Sequence, residues 1–240
     1  MARRFSFLLI AFLVAAAWLP EPMNALASAL DAPLRQAQDD GRLTARDAQA
    51  IEAAIDQAQA EGLPPAPFTA KAEEGLAKRV AGRAIVQALE TMRSDYVFAR
   101  DALSQGGREP SPDDVVMAGD SLRRGLTRQE LDQMAAFDPP ASPAELATAA
   151  RTRAALNAVA FPARLSDDIL RRGLASGALS AQWAQLFRVV QRTREAGIPD
   201  AAVAEAATRI LADGGGPAEL LQELGLTGRD TRNAPGKPAK

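Results

Sequence analysis

A short formula recurs along this chain: glycine, an apolar residue, then proline or threonine. It reads Gly62-Leu63-Pro64, Gly125-Leu126-Thr127, Gly197-Ile198-Pro199 and Gly225-Leu226-Thr227. Glycine can enter the left-handed conformation that closes a helix, and the apolar residue packs back on the last turn. Proline or threonine then opens the next helix. A chain punctuated in this way is expected to form helices joined by tight turns.

The segments between these stops have helical periodicity. In Arg83–Leu103 the residues Ile85, Ala88, Leu89, Met92, Tyr96, Ala99 and Leu103 fall at spacings of three and four, which places them on one face. Trp183, Leu186, Phe187 and Val190 do the same in Ser180–Ala196. Thr127 with Glu130 and Ser142 with Glu145 read as capping boxes, and Pro143 occupies the favoured first helical position. Ser111-Pro112-Asp113-Asp114 and Ser166-Asp167-Asp168 read as caps followed by acids that suit a helix N-terminus. No window alternates with the period of a strand. The expected fold is all-α, a set of stacked helical hairpins.

The glycines also suggest a duplication. Gly75-Leu76, Gly125-Leu126, Gly173-Leu174 and Gly225-Leu226 are separated by 50, 48 and 52 residues. Leu122-Arg123-Arg124-Gly125-Leu126 is echoed by Leu170-Arg171-Arg172-Gly173-Leu174, and Ile85, Leu89 and Met92 by Trp183, Phe187 and Val190. The expected organisation is a helical-hairpin array over 63–227 with two degenerate halves, 64–137 and 162–224. The helix starting at Ser142 joins them, and 28–62 forms an N-terminal helical cap. From Gly228 to Lys240 the tail lacks an apolar period and is expected to be disordered.

The first 27 residues read as an export signal. Arg3 and Arg4 precede an apolar run from Phe5 to Leu19, Pro20 and Pro22 end it, and Ala25-Leu26-Ala27 offers small residues for cleavage after Ala27. The run is shorter than the ~20 residues of a spanning helix, and the residues after the arginine pair favour the general export route. Losing Arg3, Arg4 and Glu21 changes the formal charge from −2 to −3. No later apolar run approaches spanning length, so the mature chain is expected to lack a transmembrane segment and to be periplasmic or secreted.

The composition then narrows the chemistry. There is no Cys and no His, which excludes disulfides, lipid attachment at cysteine, thiolate zinc sites, Ser-His-Asp triads and imidazole acid/base chemistry. A charge near zero provides no basic field for nucleic acid. Gly214-Gly215-Gly216 lacks the Lys-Ser/Thr of a phosphate loop and reads as a helix end before Pro217. No cofactor and no metal are expected.

Candidate interaction residues are few. In Lys71-Ala72-Glu73-Glu74-Gly75-Leu76-Ala77-Lys78, Glu74 can pair with Lys71 or Lys78 on one helix face. This cluster reads either as a contact for an anion or peptide beside a break at Gly75, or as an ordinary solvated face. Arg123, Arg124, Arg171 and Arg172 read either as an anionic-partner surface or as cations offsetting helix C-termini. Paired Asp/Glu carboxylates remain the one catalytic option, a hydrolase near the cell wall. A single Tyr and two Trp give little aromatic platform for sugars.

The run Gly62-Leu63-Pro64 to Phe68, Lys71, Glu74-Gly75-Leu76-Ala77-Lys78 and Ile85 to Leu89 resembles sequences of uncharacterised exported bacterial all-helical proteins. The resemblance spans about 30 residues and implies an exported, helical chain, with no activity, cofactor or site residue carried over. The sequence thus leads to a non-catalytic envelope protein that acts as a protein- or peptide-interaction scaffold, with an Asp/Glu hydrolase as the alternative. It leaves the partner and the oligomeric state open.

Overall fold

A computed structural model describes residues 24–137 and 141–226, and these are all-helical. The helices are α1 (Asn24–Asp39), α2 (Ala45–Ala60), α3 (Pro65–Ala77), α4 (Gly82–Leu103), α5 (Pro112–Arg123) and α6 (Arg128–Ala135). They continue with α7 (Pro143–Ala158), α8 (Ala163–Ser176), α9 (Leu186–Glu195), α10 (Asp200–Ala212) and α11 (Pro217–Glu223). A 3₁₀ turn, Ala181–Gln185, leads into α9. No strand occurs among the described residues. The signal sequence up to Met23 and the tail from Gly228 lie outside the described residues, and a chain cut after Ala27 would begin within α1.

The glycine formula acts as its chemistry requires. Gly62, Gly125, Gly197 and Gly225 have φ between 70° and 100°. The N–H groups of the next residues reach back five positions: Leu63 to the Ala58 carbonyl (3.0 Å), Leu126 to Ser121 (3.1 Å), Ile198 to Thr193 (2.8 Å) and Leu226 to Leu221 (2.7 Å). These bonds satisfy carbonyls that a helix end leaves open. Two further ends use the same bond without glycine. Arg79 (φ 56°) and Ala160 (φ 50°) take the left-handed position, and Val80 and Phe161 donate to the Gly75 and Leu156 carbonyls.

Gly75 and Gly173, which the spacing marks as a break and a stop, are helical. α3 continues to Ala77, and α8 continues to Ser176 before closing at left-handed Gly177. Both glycines are buried contacts instead. A Cβ at Gly75 would lie 2.8 Å from Ile85 Cγ1, and one at Gly173 would lie 2.9 Å from Leu179 Cδ1. The four glycines of the apparent period therefore divide into two turn formers and two packing contacts.

The capping boxes at Thr127/Glu130, Ser142/Glu145 and Ser111/Asp114 all form, as does one at Thr44/Asp47. Ser166-Asp167-Asp168 is not a helix start. α8 begins after Pro162, and Ser166 is buried one turn inside it, where its hydroxyl donates to the Ala163 carbonyl (2.8 Å). The window Ser180–Ala196 is also divided. Its 3₁₀ turn holds buried Trp183, and α9 buries Leu186 and Val190 while Phe187 stays half-exposed. Short 3₁₀ turns are common at the ends of α-helices.

Two hydrophobic cores run through the molecule and meet along α4. Ile85, Leu89, Met92 and Tyr96 belong to the first, with Leu34, Ile51, Phe68 and Leu76 from α1 to α3. Ala99, Ala102 and Leu103 belong to the second, with Leu131, Leu156, Trp183, Leu186 and Leu211. The two clusters divide the buried residues of α4 between Tyr96 and Ala99. Among the most extensive packings are α4 on α5, α5 on α7 and α8 on α10. Helices two apart in the chain pack together at α1 on α3, α2 on α4, α5 on α7 and α8 on α10. No helix among the described residues is long and apolar enough to cross a membrane.

Candidate functional site

α7 is the central strut of the second core. Leu146, Ala147, Thr148, Ala149, Ala150, Thr152, Ala154 and Leu156 are buried, a nearly all-round burial that suits a helix enclosed by others. One narrow strip remains open: Arg151 and Ala158 are exposed and Ala155 is half-buried. α5 packs on one flank of α7, and the 3₁₀ turn with α9 packs on another.

Between these elements lies a groove of about 670 Å³. Its floor is Ala154, Ala155 and Ala158, which offer nothing larger than a methyl group. Ser121 and Arg124 line it from the α5 end, and Ala184, Gln185, Phe187, Arg188 and Gln191 from the 3₁₀ turn and α9. Val159 lies at the C-terminal end of α7, where its carbonyl accepts from Arg194 Nη1 at 2.6 Å.

The charge of the groove is one-sided. Its lining contains Arg124, Arg151 and Arg188 and no carboxylate. Arg151 and Arg188 have no carboxylate partner among the described residues, and the Arg188 guanidinium stands 5.7 Å from the centre of the Phe187 ring. Arg124 reaches Asp120 only at 3.7 Å. Three arginines therefore line a groove with an alanine floor, in a chain whose formal charge is −2.

The other grooves carry mixed charge. Between α8 and α10, Arg171 and Arg172 share a cavity of about 820 Å³ with Asp168, Glu205 and Arg209. Arg209 pairs with Glu205 (4.0 Å) and with Glu223, and the Arg171 guanidinium lies 5.6 Å from the Phe137 ring centre. Beside α4, Arg93 pairs with Glu61, Arg100 with Asp101 (3.1 Å) and Arg128 with Asp95 (3.0 Å).

The sequence-marked residues do not share one patch. On α3, Lys71 Nζ stands 2.7 Å from Glu74, and Lys78 bonds the other carboxylate oxygen. Those two hydrogen bonds, with the lysine charges, hold the Glu74 carboxyl down at about 2. The cluster neutralises itself in solvent, and exposed pairs of this kind contribute little. Arg123 ends α5 near Asp120 (3.8 Å) and above the Met92 sulfur (3.5 Å). Arg171 and Arg172 do not end a helix, because α8 runs past them to Ser176. Of the marked arginines, only Arg124 lines the carboxylate-free groove.

A buried charge supports this region. Arg153 lies within α7 and is the one buried charged residue among the described residues. Its Nε bonds Glu130 at 2.8 Å, and its Nη1 bonds Asp167 at 2.7 Å, the Ala163 carbonyl at 3.0 Å and the Ser166 hydroxyl. This single guanidinium ties α6, α7 and α8 together. Burial pushes the Glu130 carboxyl up. The Thr127 backbone and hydroxyl hydrogen bonds, with Arg153, outweigh that and hold it below its ordinary value.

No group of three or more acids placed to hold a metal ion occurs among the described residues. Comparison with protein-family models, with curated proteins and with solved structures finds no match.

Proposed function

We propose that this is an exported, non-catalytic helical protein that serves as a protein- or peptide-interaction scaffold in the cell envelope, with the groove between α5, α7 and α9 as its binding surface. The observation that carries the reading is the convergence of Arg124, Arg151 and Arg188 on a groove lined by no carboxylate. Arginine is enriched at protein interfaces because its planar fork binds carboxylates and its face packs on apolar groups. The proposal of export rests on Arg3, Arg4, the apolar run to Leu19 and the Ala25-Leu26-Ala27 site.

Two measurements test the proposal. Mass spectrometry of the exported protein is expected to give an N-terminus at Ser28; a chain retaining Arg3 and Arg4 contradicts cleavage. Cross-linking from positions 155 and 188 in the envelope is expected to yield a discrete adduct, while position 73 on α3 yields none. Equal yields from both faces contradict the groove.

The hydrolase reading has its best location in the α8–α10 groove, which Asp168 and Glu205 both line. Turnover of peptidoglycan fragments that is lost in Asp168→Asn or Glu205→Gln would replace the scaffold reading with that one.

A further inference from the structure

We infer that the groove between α5, α7 and α9 takes an acidic segment of a partner protein, with carboxylates on the arginines and an apolar side chain between Val159 and Phe187. The inference rests on the scaffold reading and adds the chemistry of the partner.

Charge complementarity carries it. The α8–α10 groove and the recess beside α4 both include carboxylates in their linings, and several other arginines are matched, Arg93, Arg100, Arg128, Arg194 and Arg209 each having a carboxylate within 4.0 Å. Arg151 and Arg188 have none, although acids outnumber bases in the chain as a whole. A guanidinium fork is suited to paired contacts with a carboxylate. Because the groove is recessed, a seated carboxylate is partly shielded from water, and the interaction gains strength from that.

Shape selects a peptide over a small anion. The three arginines come from three places, Arg124 just past the end of α5, Arg151 on α7 and Arg188 on α9, and Ala154, Ala155 and Ala158 share the lining with them. A small anion does not fill a groove of about 670 Å³ that is apolar along its floor. A segment that alternates carboxylates with an apolar residue meets both features, and side-chain pockets beside charges are how such segments are read. A membrane surface suits the site poorly, because the arginines lie around a recess and not on a flat face.

The test is fluorescence anisotropy with the exported protein and three short peptides: one of Glu and Leu, and its Gln-for-Glu and Lys-for-Glu counterparts. The Glu peptide is expected to bind at least about tenfold more tightly than the Gln peptide, and more weakly as salt rises. Arg151→Glu with Arg188→Glu is expected to abolish that preference and to favour the Lys peptide. Both positions are exposed, so an unchanged unfolding temperature confirms that the variant folds.

Equal binding of Glu and Gln peptides, both lost in the variant, overturns the acidic partner and leaves the groove as the binding surface. Binding unaffected by the variant overturns both. Displacement of the Glu peptide by citrate at equal concentration overturns the peptide in favour of a small anion. Charge-dependent sedimentation with phosphatidylglycerol vesicles overturns it in favour of a membrane surface.

Discussion

Gly119 lies against the Tyr96 ring so closely that a Cβ at this position would stand 1.8 Å from Cδ1. The backbone of α5 therefore crosses α4 at the distance set by the edge of an aromatic ring. Tyr96 is fully buried, meets Phe68 edge-on at 5.4 Å and donates its hydroxyl to Asp120 at 2.8 Å. Burial first, and the Asp120 carboxylate second, raise its hydroxyl well above the ordinary tyrosine value. Gly119→Ala must displace this buried ring. Overpacking of this kind costs about 1–3 kcal/mol, so a fall in Tm of roughly 3–10 °C is expected. An unchanged Tm would mean that α4 and α5 do not pack this closely.

Arg153 is expected to behave as a structural cation. Arg153→Met keeps most of the volume but leaves the Glu130 and Asp167 carboxylates without their partner, and loss of one member of a buried pair costs about 3–5 kcal/mol. Asp167 is half-exposed and Glu130 partly exposed, so a loss of roughly 2–3 kcal/mol is expected from chemical denaturation. Combining it with Glu130→Gln should recover part of that loss, because the unpaired charge is then removed.

Glu130 gives the acid response a sign. Its folded carboxyl titrates below its ordinary value, so its contribution is complete above the unfolded pKa of about 4.3. That contribution disappears as pH falls through the folded value. The stability difference between wild type and Glu130→Gln should be largest above about pH 5 and narrow as the solution is acidified. A difference that widens toward acid would reverse the assignment.

Ala160 offers a gain. At φ 50° it holds a left-handed position that costs a non-glycine residue about 1–2 kcal/mol. Ala160→Gly removes that strain but adds freedom to the unfolded chain, at about 0.4–1 kcal/mol. A net stabilisation of about 0.5–1 kcal/mol is expected in urea unfolding, and a loss of stability would contradict the strained turn.

Local features were legible in the sequence because their causes are local. Gly62, Gly125 and Gly197 close helices with their own neighbours, and the predicted capping boxes at Thr127 and Ser142 need only the residue three positions on. Gly75 and Gly173 misled because glycine also serves where another chain segment comes close, and only Ile85 and Leu179 reveal that role. Ser166 has the residue type of a cap, yet distant Arg153 claims its hydroxyl. Arg79 and Ala160 turn the chain without the expected residue. The groove was legible only at Arg124, since Arg151 and Arg188 belong to helices that packing alone brings alongside α5. The Arg153 network escaped for the same reason.

The central claim is that a partner segment lies in the groove between α5, α7 and α9, and backbone amide NMR during titration with the Glu-bearing peptide tests it most directly. Shifts that saturate and concentrate at 121–124, 151–159 and 184–191 are the expected result. Shifts centred on Lys71–Lys78 of α3, or on the α8–α10 groove around Arg171 and Arg172, would contradict it.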